Sequence, residues 1–143
     1  MFDKILIPPA VFEEVVETGK QNGQLDAFLI EEQITAGNIE VQEYDRAKIQ
    51  FPHLKNNNLH PGELEAINLA VSLPESVILL DDEEARLFAR TLGLQVKGTL
   101  GLLIDFKRRA LIDDTKALNL LHQLNALMYL SGDLYNFVRN QLK

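Results

Sequence analysis

Val77-Ile78-Leu79-Leu80-Asp81-Asp82-Glu83-Glu84-Ala85-Arg86 decides the fold class. The apolar run from Val77 to Leu80 suits a short strand covered on both faces. Asp81 and Asp82 then supply the oxygen acceptors with which helices begin, and Ala85, Phe88, Ala89 and Leu92 recur at helical spacing until Gly93 closes the run. A buried strand that feeds directly into an amphipathic helix is half of a βα unit, and such units build parallel sheets.

The same alternation extends in both directions. Downstream, Leu94-Gln95-Val96 reads as a strand, and Gly98-Thr99 turns into a helix through Leu102, Leu103 and Phe106. The tail reads as wholly helical, one segment capped near Asp114-Thr115 with Leu118, Leu121 and Leu124 inward, another capped at Ser131 with Leu134, Phe137 and Val138 inward. Upstream, a helix starts at Pro61, carries Leu64, Ile67, Ala70 and Val71 as its stripe and stops before Pro74; Lys55-Asn56-Asn57-Asn58 precedes it as a polar loop. Ile39 to Tyr44 alternates like a strand, Leu25 to Thr35 spaces Leu25, Phe28 and Leu29 for one buried face, and a helix through Val11, Phe12, Val15 and Val16 to Gly19 follows the first strand, Ile5-Leu6-Ile7, after Pro8-Pro9. No repeat, low-complexity tract or linker interrupts the chain, so residues 1–143 read as one α/β domain with a helical C-terminal tail.

Composition narrows the chemistry. With 46% hydrophobic and 24% charged residues the chain can build a core. It has no cysteine, which excludes disulfides, thiolate metal sites and thiol catalysis. No apolar run approaches the roughly 18 residues of a membrane span and no secretory leader opens the chain, so a cytoplasmic location is expected. A net charge of -7 disfavours a sequence-independent grip on nucleic acid unless a divalent ion screens the site. His53, His60 and His122 are scattered without ligand spacing and read as surface or core-edge residues.

Open parallel sheets bind ligands outside the carboxyl ends of their strands. After the first strand come Glu13 and Glu14, after Leu80 come Asp81 and Asp82, and after Val96 come Lys97, Gly98 and Thr99. Glu63 shares the helix face of Ile67 and Ala70 and so is expected inward, whereas Glu65 and Asn68 are expected to point elsewhere. Carboxylates gathered in one pocket repel unless a cation neutralises them, and hard ions such as magnesium or manganese favour that ligand set. A bound ion could activate water for phosphodiester hydrolysis. Plainer roles exist for each residue: Asp81 with Glu84 fits a capping box, Glu13 and Glu14 suit a helix dipole, Glu63 can accept backbone bonds, Thr99 can be an N-cap, and Lys107-Arg108-Arg109 complements a helix end.

Glu63-Leu64-Glu65-Ala66-Ile67-Asn68-Leu69-Ala70, Leu79-Leu80-Asp81-Asp82-Glu83-Glu84-Ala85-Arg86 and Val96-Lys97-Gly98-Thr99-Leu100-Gly101-Leu102-Leu103 closely resemble PIN-like domains related to bacterial toxin-antitoxin ribonucleases, as does Ile7-Pro8-Pro9-Ala10-Val11 followed by Glu14. The resemblance implies a three-layer α/β/α fold with a mostly parallel sheet, and a quartet of acids around magnesium or manganese that cuts RNA. Matched residue by residue, Glu14 takes the second place, Glu63 the third and Asp82 or Asp81 the fourth; Thr99, beside Lys97, borders the site on the substrate side. The first place is empty, because Met1-Phe2-Asp3 stands directly before the family's second strand and Asp3 lies at the wrong end of it. That implies a form N-terminally truncated relative to the family and without its first central strand, through a truncated gene, a start placed too far downstream or a true short form, with activity weakened or lost and the open sheet closed by a homo-oligomer or an altered strand order. The alternative is a non-enzymatic partner-binding domain that pairs with an antitoxin-like protein or with itself.

Overall fold

The computed structural model describes residues 4–44 and 59–143. Met1-Phe2-Asp3, His53 and the polar loop Lys55-Asn56-Asn57-Asn58 lie outside the described residues. The described chain is mixed α/β, mostly helical with short strands. Strand β1 (Ile5–Ile7) is followed by α1 (Pro9–Phe12), a π-helical segment (Glu13–Thr18), α2 (Gly19–Gln21), α3 (Leu25–Thr35) and β2 (Ile39–Val41). Then come α4 (Pro61–Ser72), β3 (Val77–Leu79), α5 (Glu83–Thr91), β4 (Gln95–Lys97), α6 (Thr99–Arg108), α7 (Asp114–Met128) and α8 (Gly132–Gln141).

Among the described residues the strands form two separate two-stranded sheets, β1 with β2 and β3 with β4. The first pair is parallel, with Ile5 opposite Ile39 and Ile7 opposite Val41, and the Gln42 amide extends it by donating to the Ile7 carbonyl at 2.8 Å. A parallel pair needs a long crossover, which the helices between Pro9 and Thr35 supply. At the end of β3 the Leu80 amide donates to the Lys97 carbonyl at 2.9 Å. The apolar run there is covered at Ile78 and Leu80, but Leu79 is exposed, so the expectation of burial on both faces holds for only part of it.

The chain divides into two compact units, residues 1–78 with 82–96 and residues 79–81 with 97–143. In the first, one tight helix contact involves Gly19. A Cβ there would stand 2.8 Å from Ala27 Cβ, so α2 and α3 meet at a distance only glycine permits. This contact sets the rotation of α3: Ala27 is fully buried, Ile30 and Ile34 are half-buried on its side, and Leu25, Phe28 and Leu29 are exposed. The expected inward face of α3 is therefore corrected. Small Ala27 wins the interior because the backbones approach too closely for a larger side chain. Lys20, which ion-pairs with Glu31 at 2.8 Å, also lies 5.5 Å from the Phe28 ring.

The second unit has its own core, in which Leu103, Ala117, Leu121, Val138 and Leu142 are buried. In α7 Leu121 and Leu124 face the core as expected, but Ala117 and Leu120 join them there in place of Leu118. In α8 it differs: Tyr135, Val138 and Leu142 recur at helical spacing and face the core, while Leu134 and Phe137 are exposed. The α8 cap is as expected, the Ser131 hydroxyl accepting from the Leu134 amide at 3.2 Å. Asp113, one residue before the expected cap, starts α7 by accepting from the Lys116 amide at 2.7 Å. No helix among the described residues is long and apolar enough to cross a membrane.

Alanine in place of glycine inside a helix normally adds about 1 kcal/mol. At position 19 the new methyl meets Ala27, so Gly19→Ala is expected to destabilise the protein by about 1–3 kcal/mol in urea unfolding. A stabilised Gly19→Ala variant would show that the α2–α3 contact is looser than described.

Candidate functional site

Construction of the site begins at Pro8-Pro9. Pro9 has no amide to satisfy, and the Val11 and Phe12 amides donate to the Pro8 carbonyl at 3.1 Å. That leaves the Ala10 amide, which donates to Glu65 Oε2 at 2.6 Å across 55 residues of sequence. Tyr44 Oη donates to the other oxygen of the same carboxylate, Oε1, at 3.1 Å. Glu65 is buried, and a carboxylate so placed gains from both hydrogen bonds and from the positive end of α1.

This corrects the expected phase of α4. Glu65 and Asn68, expected to point elsewhere, are both buried, and Val71, expected inward, is exposed. Ile67 and Ala70 are buried as expected, so the inward arc is shifted rather than inverted. The physical cause is that two backbone and side-chain donors wait for a carboxylate at position 65.

Glu14 projects from the π-helical segment, a wide-turn form found disproportionately at functional sites. Its Oε2 lies 3.4 Å from His60 Nδ1. A Cβ at Gly62 would stand 2.9 Å from that oxygen and 3.4 Å from Val11 Cγ2, so the missing side chain leaves the space the carboxylate uses. His60 is also the N-cap of α4. Its Nδ1 accepts from the Gly62 amide at 3.3 Å, and Glu63 Oε2 accepts from the His60 amide at 3.2 Å, a reciprocal cap. The structure thus brings Glu14 and Glu63 to the same residue, a histidine that spacing alone assigned to the surface.

Asp82 caps α5, with Oδ2 accepting from the Ala85 amide at 2.8 Å. The capping box expected from Asp81 and Glu84 is therefore replaced by a one-sided cap from Asp82. Asp81 instead accepts from Thr99 twice, Oδ1 from the amide at 2.8 Å and Oδ2 from Oγ1 at 2.5 Å. Thr99 is the first residue of α6, and Gly98 is its N-cap without a side chain to contribute; Asp81 does that job from just beyond the end of β3. Lys97 forms an ion pair with Asp105. Lys107 pairs with Asp114 at 2.6 Å, and Arg108 Nη2 donates to Gln141 Oε1 at 3.1 Å, so two members of the basic run hold the helices of their own unit together.

A hard cation requires several oxygen ligands converging on one point. Among the described residues no three histidine, aspartate or glutamate side chains are grouped to hold a metal ion. Glu14 lies against an imidazole, Glu63 and Asp82 accept helix-start amides, and Asp81 is occupied by Thr99. In this arrangement the described residues do not fit magnesium or manganese. What the site offers is a solvent-facing Glu14 carboxylate 3.4 Å from His60 Nδ1, a nitrogen that already accepts from the Gly62 amide, at the N-terminus of α4.

Sequence reasoning missed Glu65 and His60. For Glu65 the signal was its spacing of three from Gly62 and four from Leu69, usable only once the phase of α4 is known. For His60 it was the order His60-Pro61-Gly62-Glu63, a proline in the first helical position with a glutamate two residues on.

Residues 1–143 match the family described as DUF3368: PIN domain. No curated protein and no solved structure matches the chain.

Two substitutions probe the site. Glu65→Ala strands the half-buried Ala10 amide and is expected to lower the unfolding free energy by about 1–3 kcal/mol in urea, more than Glu63→Ala at the more accessible cap. Gly62→Ala should leave stability within about 0.5 kcal/mol, because the flexible Glu14 carboxylate can swing away. The His60 imidazole nitrogen signals in its NMR spectrum are then expected to move as they do in Glu14→Ala; unchanged signals would refute the cradle at Gly62.

Proposed function

The chain belongs to the PIN-domain family, and from that premise we propose that it descends from toxin-antitoxin ribonucleases with metal-dependent RNA hydrolysis weakened or lost. The observation that carries this reading is the engagement of the acids. Asp81, Asp82 and Glu63 each hold a backbone amide at a helix start, and Glu14 sits on His60. Both oxygens of Asp81 accept from Thr99 and one oxygen of Asp82 accepts from Ala85, so these carboxylates already spend part of their acceptor capacity inside the fold. Such hydrogen bonds favour the carboxylates where they are. On this reading the acids remain because they start helices, whatever chemistry their predecessors performed. The reading keeps the three-layer PIN arrangement for residues 1–143, with RNA as the nucleic acid recognised and a cytoplasmic location.

The partner-binding alternative draws on a different observation. Leu25, Phe28 and Leu29 are exposed together on one face of α3. An apolar triplet of this kind suits a protein surface, either an antitoxin-like partner or a second copy of the chain.

Manganese titrated into the protein by calorimetry is expected to give no saturable heat, and cleavage of a single-stranded RNA oligonucleotide should be no faster with the metal than without it. Glu63→Ala should leave both results unchanged while lowering stability by about 0.5–1 kcal/mol through the lost cap. Saturable manganese binding that disappears in Glu63→Ala, together with metal-dependent cleavage, would restore the active nuclease.

A further inference from the structure

Asn22-Gly23 is the one asparagine-glycine pair in the sequence, and it forms the corner between α2 and α3. An asparagine carboxamide lies within reach of the amide nitrogen of the next residue, and ring closure between the two is the ordinary route by which asparagine is lost as proteins age. A following side chain obstructs that approach; glycine, without a Cβ, leaves it open. At Gly23 nothing stands within 4 Å of where a Cβ would be, and Asn22, Gly23 and Gln24 are all exposed. Space and water are therefore present on the outside of the corner.

The other asparagines of the described residues are placed differently. Asn38 precedes β-branched Ile39, and its Nδ2 donates to Gln33 Oε1 at 2.8 Å. Asn68 is buried in α4, and Asn119, Asn125, Asn136 and Asn140 lie within α7 and α8.

The corner is also restrained. The Gly23 amide, the nucleophile of ring closure, donates to the Lys20 carbonyl at 3.1 Å, and the Gln24 amide donates to the Gly19 carbonyl at 2.9 Å, with Gly23 left-handed at φ 67°. These two bonds are the Schellman closure of the helical run that begins at Pro9. With the Asn22 ψ at 4°, the Gly23 nitrogen eclipses the Asn22 nitrogen and stands a third of a turn about the Cα–C bond from Cβ. A five-membered ring needs it over Cβ. The pair therefore reacts only when the cap opens.

We propose that Asn22-Gly23 is a self-modification site gated by that cap. On opening, the Gly23 nitrogen bonds to Asn22 Cγ and gives up its proton to water, while the carboxamide nitrogen leaves as ammonia and a succinimide ring remains. Water then opens the ring at either carbonyl to give aspartate or isoaspartate, with nothing oxidised or reduced. In isoaspartate the main chain runs through Cβ. The corner gains one backbone atom and a free carboxylate at the end of a helix, where negative charge is disfavoured. A longer corner loses the register of the two closing bonds. One of those bonds ends on Gly19, whose Cβ position is 2.8 Å from Ala27 Cβ, so the modification loosens the contact that seats α3. Nothing in this proposal depends on the PIN-family reading.

The test incubates the full chain in mildly alkaline buffer and follows every asparagine by peptide mass spectrometry, with fragmentation that separates isoaspartate from aspartate. Asn22 is expected to convert at least about tenfold faster than any asparagine of α4, α7 or α8, with isoaspartate the main product. In denaturing urea, where the cap is gone, Asn22 should convert about tenfold or more faster than in buffer, the ratio being set by how rarely the corner opens. Gly19→Ala, which crowds α2 against α3 without touching the pair, should raise the Asn22 rate severalfold; sub-denaturing urea on the wild type makes the same comparison should that variant not fold. The modified fraction, separated by anion exchange through its added charge, should melt below the unmodified protein, whereas Asn22→Ser should keep one melting temperature throughout.

An Asn22 that stays intact in urea, or that converts no faster in buffer than the helical asparagines, would overturn the site. Equal Asn22 rates in buffer and in denaturing urea would overturn the gate. A modified fraction that melts with the unmodified protein would overturn the loosening of α3.

Discussion

The amide of Ala10 has no partner within its own helix, and the carboxylate that serves it comes from Glu65, more than fifty residues later in the sequence. Most of the first unit follows from that bond. It fixes the start of α1 against α4, and with Tyr44 Oη on the other oxygen it ties the exit of β2 to the same point. Once Glu65 turns inward, the phase of α4 is set: Asn68 and Leu69 come with it, Val71 moves out to solvent, and Gly62 comes beneath the Glu14 carboxylate. A single buried carboxylate, with the Ala10 amide and Tyr44 Oη among its donors, thereby orders residues that hydrophobicity alone would have arranged otherwise.

The acids that drew attention as ligands are distributed on the same logic. Helix starts leave backbone amides without partners, and a chain with eight α-helical elements in its described residues has many of them. Aspartate and glutamate at those positions are favoured whether or not a metal is ever bound. The same residue types in the same order can therefore belong to a nuclease centre or to a set of caps. Only the placement of each oxygen separates the two, and here Asp81, Asp82 and Glu63 are placed as caps.

Much of the element order was legible from the sequence. The strand after Ser76, the helix after Asp82, the stop at Gly93 and the capped tail all follow from local rules that need no knowledge of neighbours. Rotation about a helix axis was less legible. In α3 the triplet Leu25, Phe28 and Leu29 is the obvious apolar face, yet the near-contact of Gly19 with Ala27 gives the interior to an alanine. In α4 a glutamate outranks a valine because two donors are waiting for it. Both outcomes depend on pairs of residues distant in sequence or on backbone proximity, and periodicity carries neither. At the site, Glu14 and Glu63 do share a neighbour, but the neighbour is a histidine that no ligand spacing marked.

The bond between Ala10 and Glu65 also bears on how the chain acquires its structure. Helix α1, the π-helical segment and α2 continue one another from Pro9 to Gln21, about the length at which an isolated helix is marginal in water. The carboxylate that serves its first turn comes from α4, beyond α3 and β2 among the described residues, so that contact closes a long loop. During synthesis the Ala10 amide must therefore wait for its acceptor until α4 has emerged. Completion of this region depends on a distant contact, and a chain released before Glu65 could still pair β1 with β2 but would lack the carboxylate that serves Ala10.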